Sequence, residues 1–152
     1  MQMKPSRTIS TAVTLLVAVV SGGMTAYCRE PVINDLSVMA DGITLSKTES
    51  AVIARTNAAR ARSGLPPLAA DEQLMNGARN HARWMARNRN LSHGTGVAEN
   101  IAMGQTSASE ATSSWMQSSG HRANILDSGH TRIGVAVAHS ADGTAYWCQQ
   151  FR

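Results

Sequence analysis

Between residues 46 and 89 apolar side chains recur every three or four positions, whereas between 131 and 151 they run almost unbroken and are β-branched or aromatic. The first pattern is that of helices lying on a core, the second that of buried strands. A first helix is expected to start near Ser46. "SKTES" supplies Ser46 as cap and Glu49 three residues on, a capping box, and Val52, Ile53, Thr56 and Ala59 then share one face. Gly64 stops it and Pro66-Pro67 force an extended connection. A second helix opens at "AADEQLM" and carries Leu74, Ala78, His81, Ala82 and Met85 on one stripe to about Arg89. A third, short one runs over about residues 109–118, with Ala111, Trp115 and Met116 inward. "TRIGVAVAH" and "TAYWCQQF" are joined by "SADG", a hairpin turning at Asp142-Gly143. Helices first and strands last predict an α+β domain with helices packed on a small antiparallel sheet.

The 152 residues suffice for one domain, and 43% hydrophobic content with 16% charge argues for a packed core rather than disorder. Residues 1–26 read as a secretion signal. Lys4 and Arg7 give a basic start, residues 9–20 are mostly apolar, and Ser21, Gly22, Gly23 and Ala26 supply small residues before cleavage. An uncleaved anchor is the competing reading, but the apolar run is shorter than the roughly 17–25 residues of a span. No transmembrane segment is expected after cleavage, and the product is secreted or periplasmic. Lipid attachment at Cys28 is disfavoured by the bulky Tyr27 before it. Residues 27–45 form an N-terminal arm and 46–152 the domain.

The signal holds two of the 14 basic residues; 12 remain against 10 acidic ones, so the net charge falls from +4 to +2. Arg55, Arg60, Arg62, Arg79, Arg83, Arg87 and Arg89 lie on the two long helical stretches and read as solvated faces, not as a nucleic-acid surface. Two cysteines in an exported chain, Cys28 and Cys148, predict a disulfide tying the arm to the last strand.

Of five histidines, His139 lies beside a turn, His130 in a polar loop, and His81 on a helix face as a core residue. His93 in "LSHG" and His121 in "SSGHR" sit on loops beside helices, where functional groups concentrate. Glu99 in "VAENIA" is flanked by apolar residues and needs a partner if buried. Two imidazoles and a carboxylate suit a divalent metal such as zinc. Equally, Glu99 suits a purely structural role, accepting hydrogen bonds that lock the glycine-rich loop over residues 90–104. Ser118 with His121 makes a poor nucleophile–base pair, since no G-x-S-x-G turn accompanies them.

"LSHGTGVAENIAMG", "WMQSSGHRANIL", "RIGVAVA" and "YWCQQF", in that order, resemble the bacterial branch of the CAP superfamily, which includes cysteine-rich secretory proteins, antigen 5 and plant pathogenesis-related proteins. The resemblance covers about residues 50–152. It implies an α–β–α sandwich and a cleft lined by two histidines and two acids. The positions that match are His93, Glu99 and His121; the second acid, three residues after a tryptophan, is replaced by Ser118 after Trp115. One acid fewer makes a more neutral site. The resemblance implies a secreted binding module for a divalent cation or for a small-molecule, lipid or cell-envelope ligand. A metal-dependent hydrolase with Glu99 as general base, and a structural module whose polar cluster pins loops, are the alternatives.

Overall fold

A computed structural model describes residues 38–40 and 42–152. The expected signal, Cys28 and most of the arm lie outside the described residues. The end of the arm forms a hairpin, β1 (Val38–Ala40) with β2 (Ile43–Leu45), and sets Leu45 into the core. Then come α1 (Lys47–Arg62), β3 (Ala69–Ala70), α2 (Glu72–Asn88), β4 (Ala98–Met103), α3 (Ala108–Gln117), α4 (Ser119–Leu126), β5 (Arg132–His139) and β6 (Ala145–Phe151). No helix among the described residues is long and apolar enough to cross a membrane.

The main sheet has the order β3-β5-β6-β4. It is antiparallel, as expected, except that the two-residue β3 pairs with β5 in parallel. Helix α2 lies on one face; α1, α3 and α4 lie on the other. Strand β6 is central, and all seven of its residues are buried. Tyr146 and Cys148 belong to the α2-side core, while Ala145, Trp147 and Phe151 belong to the core beneath α1, α3 and α4. A strand covered on both faces shows a continuous run rather than an alternating one. Its two interior amides are both satisfied: Gln149 donates to Thr56 Oγ1 at 2.7 Å and Gln150 donates to Glu99 Oε1 at 3.0 Å.

The capping box forms as expected. Glu49 N–H donates to Ser46 Oγ at 3.2 Å and Ser46 N–H donates to Glu49 Oε2 at 2.8 Å. At the start of α2 the helix backbone touches the sheet. A Cβ on Gly134 of β5 would lie 2.0 Å from the carbonyl carbon of Leu74, so only glycine fits.

Two arginines correct the expectation of a solvated basic face. Arg60 is fully buried, and its guanidinium donates to the carbonyls of Pro66, Ile125, Asp127 and His130 at 2.7–3.2 Å. It ties α1 to the connection before β3, to the end of α4 and to the loop after α4. Arg79 pairs twice with buried Glu49 at 2.7 Å. A guanidinium presents five donors in a rigid fork, which suits it to gathering several carbonyls in a site with little water.

Candidate functional site

Glu99 is the second residue of β4, and its side chain turns to the α2 face with only 2% of its surface exposed. Each carboxylate oxygen has two hydrogen-bonding partners. Oε2 accepts from Gly94 N–H at 2.9 Å and from His93 Nδ1 at 3.2 Å. Oε1 accepts from Gln150 Nε2 at 3.0 Å and from the Cys148 thiol at 3.3 Å. His81 Nε2 stands 3.7 Å from Oε2. Burial alone would raise the carboxyl's pKa. The hydrogen bonds from Gln150, Gly94 and Cys148, with the pull of His81, outweigh it and hold the group below its ordinary value.

The loop after α2 folds back along that helix. Arg89 takes the left-handed conformation, with φ of 49°, and caps the helix by donating to Met85 O. Asn90 N–H also bonds Met85 O at 3.1 Å, and Ser92 O meets His81 Nε2 at 2.8 Å. The chain thereby reaches Glu99 one helical turn at a time. Gly94 eases the close approach: a Cβ there would come to 3.3 Å from Glu99 Oε1, and the carboxylate would have to give by a few tenths of an ångström.

The partners assign both imidazole tautomers. A carbonyl can only accept, so His81 carries its proton on Nε2. An ionised carboxylate can only accept, so His93 carries its proton on Nδ1. His93 therefore presents the Nε2 lone pair, on a side chain 58% exposed. This is the carboxylate–imidazole arrangement that orients a histidine ligand.

His121, on the first turns of α4, is held below its ordinary pKa first by burial and then by the charge of His93. The two rings are therefore electrostatic neighbours. Its backbone is fixed from within the sheet: Asn100 Nδ2 donates to His121 O at 3.0 Å and to Gln149 Oε1 at 3.1 Å, and Asn124 Nδ2 donates to Asn100 Oδ1 at 2.9 Å. Glu99 and Asn100, adjacent on β4, thus serve opposite faces: one fixes the His93 loop, the other the His121 helix.

Of the expected cleft residues, His93 and Glu99 are in direct contact, and His121 approaches from the other layer without a hydrogen bond to Glu99. Ser118 is the N-cap of α4, but its side chain makes no capping bond. Among the described residues, no three His, Cys, Asp or Glu side chains are arranged to hold one ion. A groove of ≈ 730 Å³ lies elsewhere, lined by Met103, Gln105, Ser107, Glu110, Ser113 and Gln117 among others. Cys148 is fully buried and has no disulfide partner among the described residues; its thiol pKa is pushed well up by burial and then by Glu99. Its expected disulfide partner lies outside the described residues. The sequence reading missed Gln150, Cys148 and His81 as partners of Glu99. The one available signal was that Glu99, flanked by apolar residues, needed donors from elsewhere.

The family model for the cysteine-rich secretory protein family, CAP, matches residues 53–151. Protein YkwD of Bacillus subtilis (strain 168) is 35% identical over 71% of this chain and 48% of its own length, so the chain spans about half of that relative. An extracellular protein containing an SCP domain from Bacillus anthracis shares 28% identity with a TM-score of 0.58, over 69% of this chain and 40% of that one. An outer surface protein of Borrelia burgdorferi has the same fold at 17% identity and a TM-score of 0.62, over 67% of this chain and 89% of that one. NaASP2, solved with Zn2+, has it at 15% identity and a TM-score of 0.58, over 68% and 78%.

Proposed function

Because the chain belongs to the CAP family of cysteine-rich secretory proteins, a fold that fixes no single activity, we propose that it is an extracytoplasmic binding module whose His93 and His121 take a divalent cation such as zinc. The observation that carries the reading is the bond from His93 Nδ1 to Glu99 Oε2, which leaves the Nε2 lone pair facing solvent. His121, kept below its ordinary pKa, supplies a second neutral imidazole near it. Two imidazoles give zinc one protein ligand fewer than the three of an ordinary open site, so water completes the shell and the affinity is expected to be modest; Glu99 acts as the positioning residue rather than as a ligand. The fold shared with a protein solved with Zn2+ agrees with this reading. So do the extracellular and outer-surface descriptions of the relatives, for export directed by residues 1–26 ahead of a domain over 46–152.

The hydrolytic alternative needs Glu99 to reach a water or substrate proton. Its side chain is excluded from solvent and both oxygens are already engaged, which favours positioning over general-base work.

Zinc titration followed by calorimetry and by melting temperature tests the proposal. Wild-type protein is expected to bind and to melt higher. His93→Ala/His121→Ala should do neither, and Glu99→Gln should bind about 10–100-fold more weakly. An equal shift in the double variant, or none at saturating zinc, overturns the reading. Unchanged zinc affinity in Glu99→Gln with a lower melting temperature would make Glu99 a structural pin alone.

A further inference from the structure

Large apolar side chains are exposed at four described positions, and three of them fall on one short stretch: Trp84 (40%), Leu91 (43%) and Val97 (38%). Trp84 lies on the outer side of α2. One face of its indole stacks on His81, with ring centroids 5.8 Å apart and planes within 6°, and the rest looks outward. Leu91 sits on the returning loop between Asn90, bonded to Met85, and Ser92, bonded to His81, so it runs alongside the same turns of α2. Arg83 and Arg87, one helical turn apart, are exposed next to Trp84. Among the described residues no carboxylate pairs with either; Arg83 bonds only the Asn80 amide, while Arg79 is turned away onto Glu49. Residues 73–98 contain four arginines and no aspartate or glutamate; Arg79 and Arg89 pair with Glu49 and Asp142 from outside this stretch, which leaves Arg83 and Arg87 as its uncompensated cations among the described residues.

Uncompensated guanidinium groups beside an exposed indole and a leucine form an amphipathic surface with a cationic margin. Such a surface matches the boundary of an anionic bilayer, where tryptophan settles at the headgroup level and arginine meets phosphate. A soluble polyanion would use the arginines but would leave Trp84 and Leu91 with nothing to bury them. We propose that the α2 face bearing Arg83, Trp84 and Arg87, together with Leu91, docks this protein onto an anionic phospholipid surface. The contact is peripheral and electrostatically assisted. It places the returning loop, and with it His93, at the lipid boundary. The proposal stands whether or not His93 and His121 hold a cation.

The test uses the full chain with vesicles of phosphatidylcholine, with and without phosphatidylglycerol, some carrying brominated acyl chains. Trp115 and Trp147 are buried, so changes in indole emission on contact with lipid report Trp84. Emission is expected to shift to the blue and to be quenched by brominated chains only when phosphatidylglycerol is present. Arg83→Gln/Arg87→Gln should weaken the effect about 30-fold, roughly fivefold for each charge, and added salt should weaken it further. Leu91→Ser should weaken it without changing the melting temperature. Residues 1–26, where retained, are common to every variant, so differences between variants belong to the patch. Absence of quenching overturns the proposal, as does quenching that is equal in the arginine variant or in phosphatidylcholine alone. Binding of dextran sulfate with no response to vesicles would also overturn it, in favour of an anionic polymer.

Discussion

Gln150 reaches Glu99 Oε1 with its amide nitrogen while its amide oxygen occupies the space above Gly77 of α2, 2.5 Å from where a Cβ on that glycine would stand. The amide is wedged between helix and carboxylate. Gly77→Ala would gain about 1 kcal/mol of helix propensity. It would also displace the amide and lose a hydrogen bond to a charged group, worth about 1.5–3 kcal/mol, besides the overpacking cost. Net destabilisation of about 1–3 kcal/mol is expected in urea unfolding, against the usual direction for Gly→Ala in a helix.

Glu99 titrates below its ordinary 4.5 in the folded protein. The unfolded chain therefore takes up the proton first. The stabilisation is complete above 4.5 and is lost as pH falls through the folded value. Glu99→Gln should be less stable than wild type by about 1–3 kcal/mol at neutral pH, because a buried amide then faces donors. The gap should narrow in acid. Denaturant midpoints measured across the acid range check both statements.

His121 behaves alike for a different reason. Burial and then His93 hold it below its ordinary 6.5, so folding disfavours its proton and stability declines as pH drops below 6.5. An NMR titration of the imidazole should give a midpoint under 6.5. His93→Ala should move it part of the way back, since one of two causes is removed.

Arg60 offers the largest single loss. Arg60→Ala leaves four carbonyls without their donor and empties a buried site, and is expected to cost about 1–3 kcal/mol for each carbonyl that water does not reach. Arg60→Lys keeps the charge but not the fork and should recover only part of it. Thermal unfolding of the two variants side by side measures the difference.

Cys148 should resist alkylation in the native state, being buried and held as a thiol beside Glu99. Mass spectrometry of the reduced protein, labelled with and without denaturant, is expected to show modification of this residue only once the chain is unfolded.

The local devices were legible because they are written in adjacent residues. Ser46 and Glu49 make their box from two side chains and their own backbone, and Asp142-Gly143 turns the hairpin joining β5 to β6. The family motifs likewise pointed to His93 and Glu99, which meet. What was not legible depends on residues brought from afar. Arg60 looks like a surface residue of α1 until the end of α4 and the loop after it, more than 60 residues on, close over it. His81 looks like core until Ser92 and Glu99 are seen around it. The parallel β3 is two residues long, too short for any period, and α3 and α4 are separated only by their shared cap, Ser118, so the polar run "SSGHRAN" concealed a further helix.

The bare backbone contact between Gly134 and Leu74 has a mechanical consequence. With no side chain as cushion, the start of α2 cannot tilt or slide on the sheet without prising apart main-chain atoms. His81 rides on that immobile helix, and Glu99 is anchored in the sheet beneath it. The strip between Arg89 and Val97 is laced to both, to the helix through Met85 and His81 and to the sheet through Glu99, so an incoming partner meets a rim already held at three points.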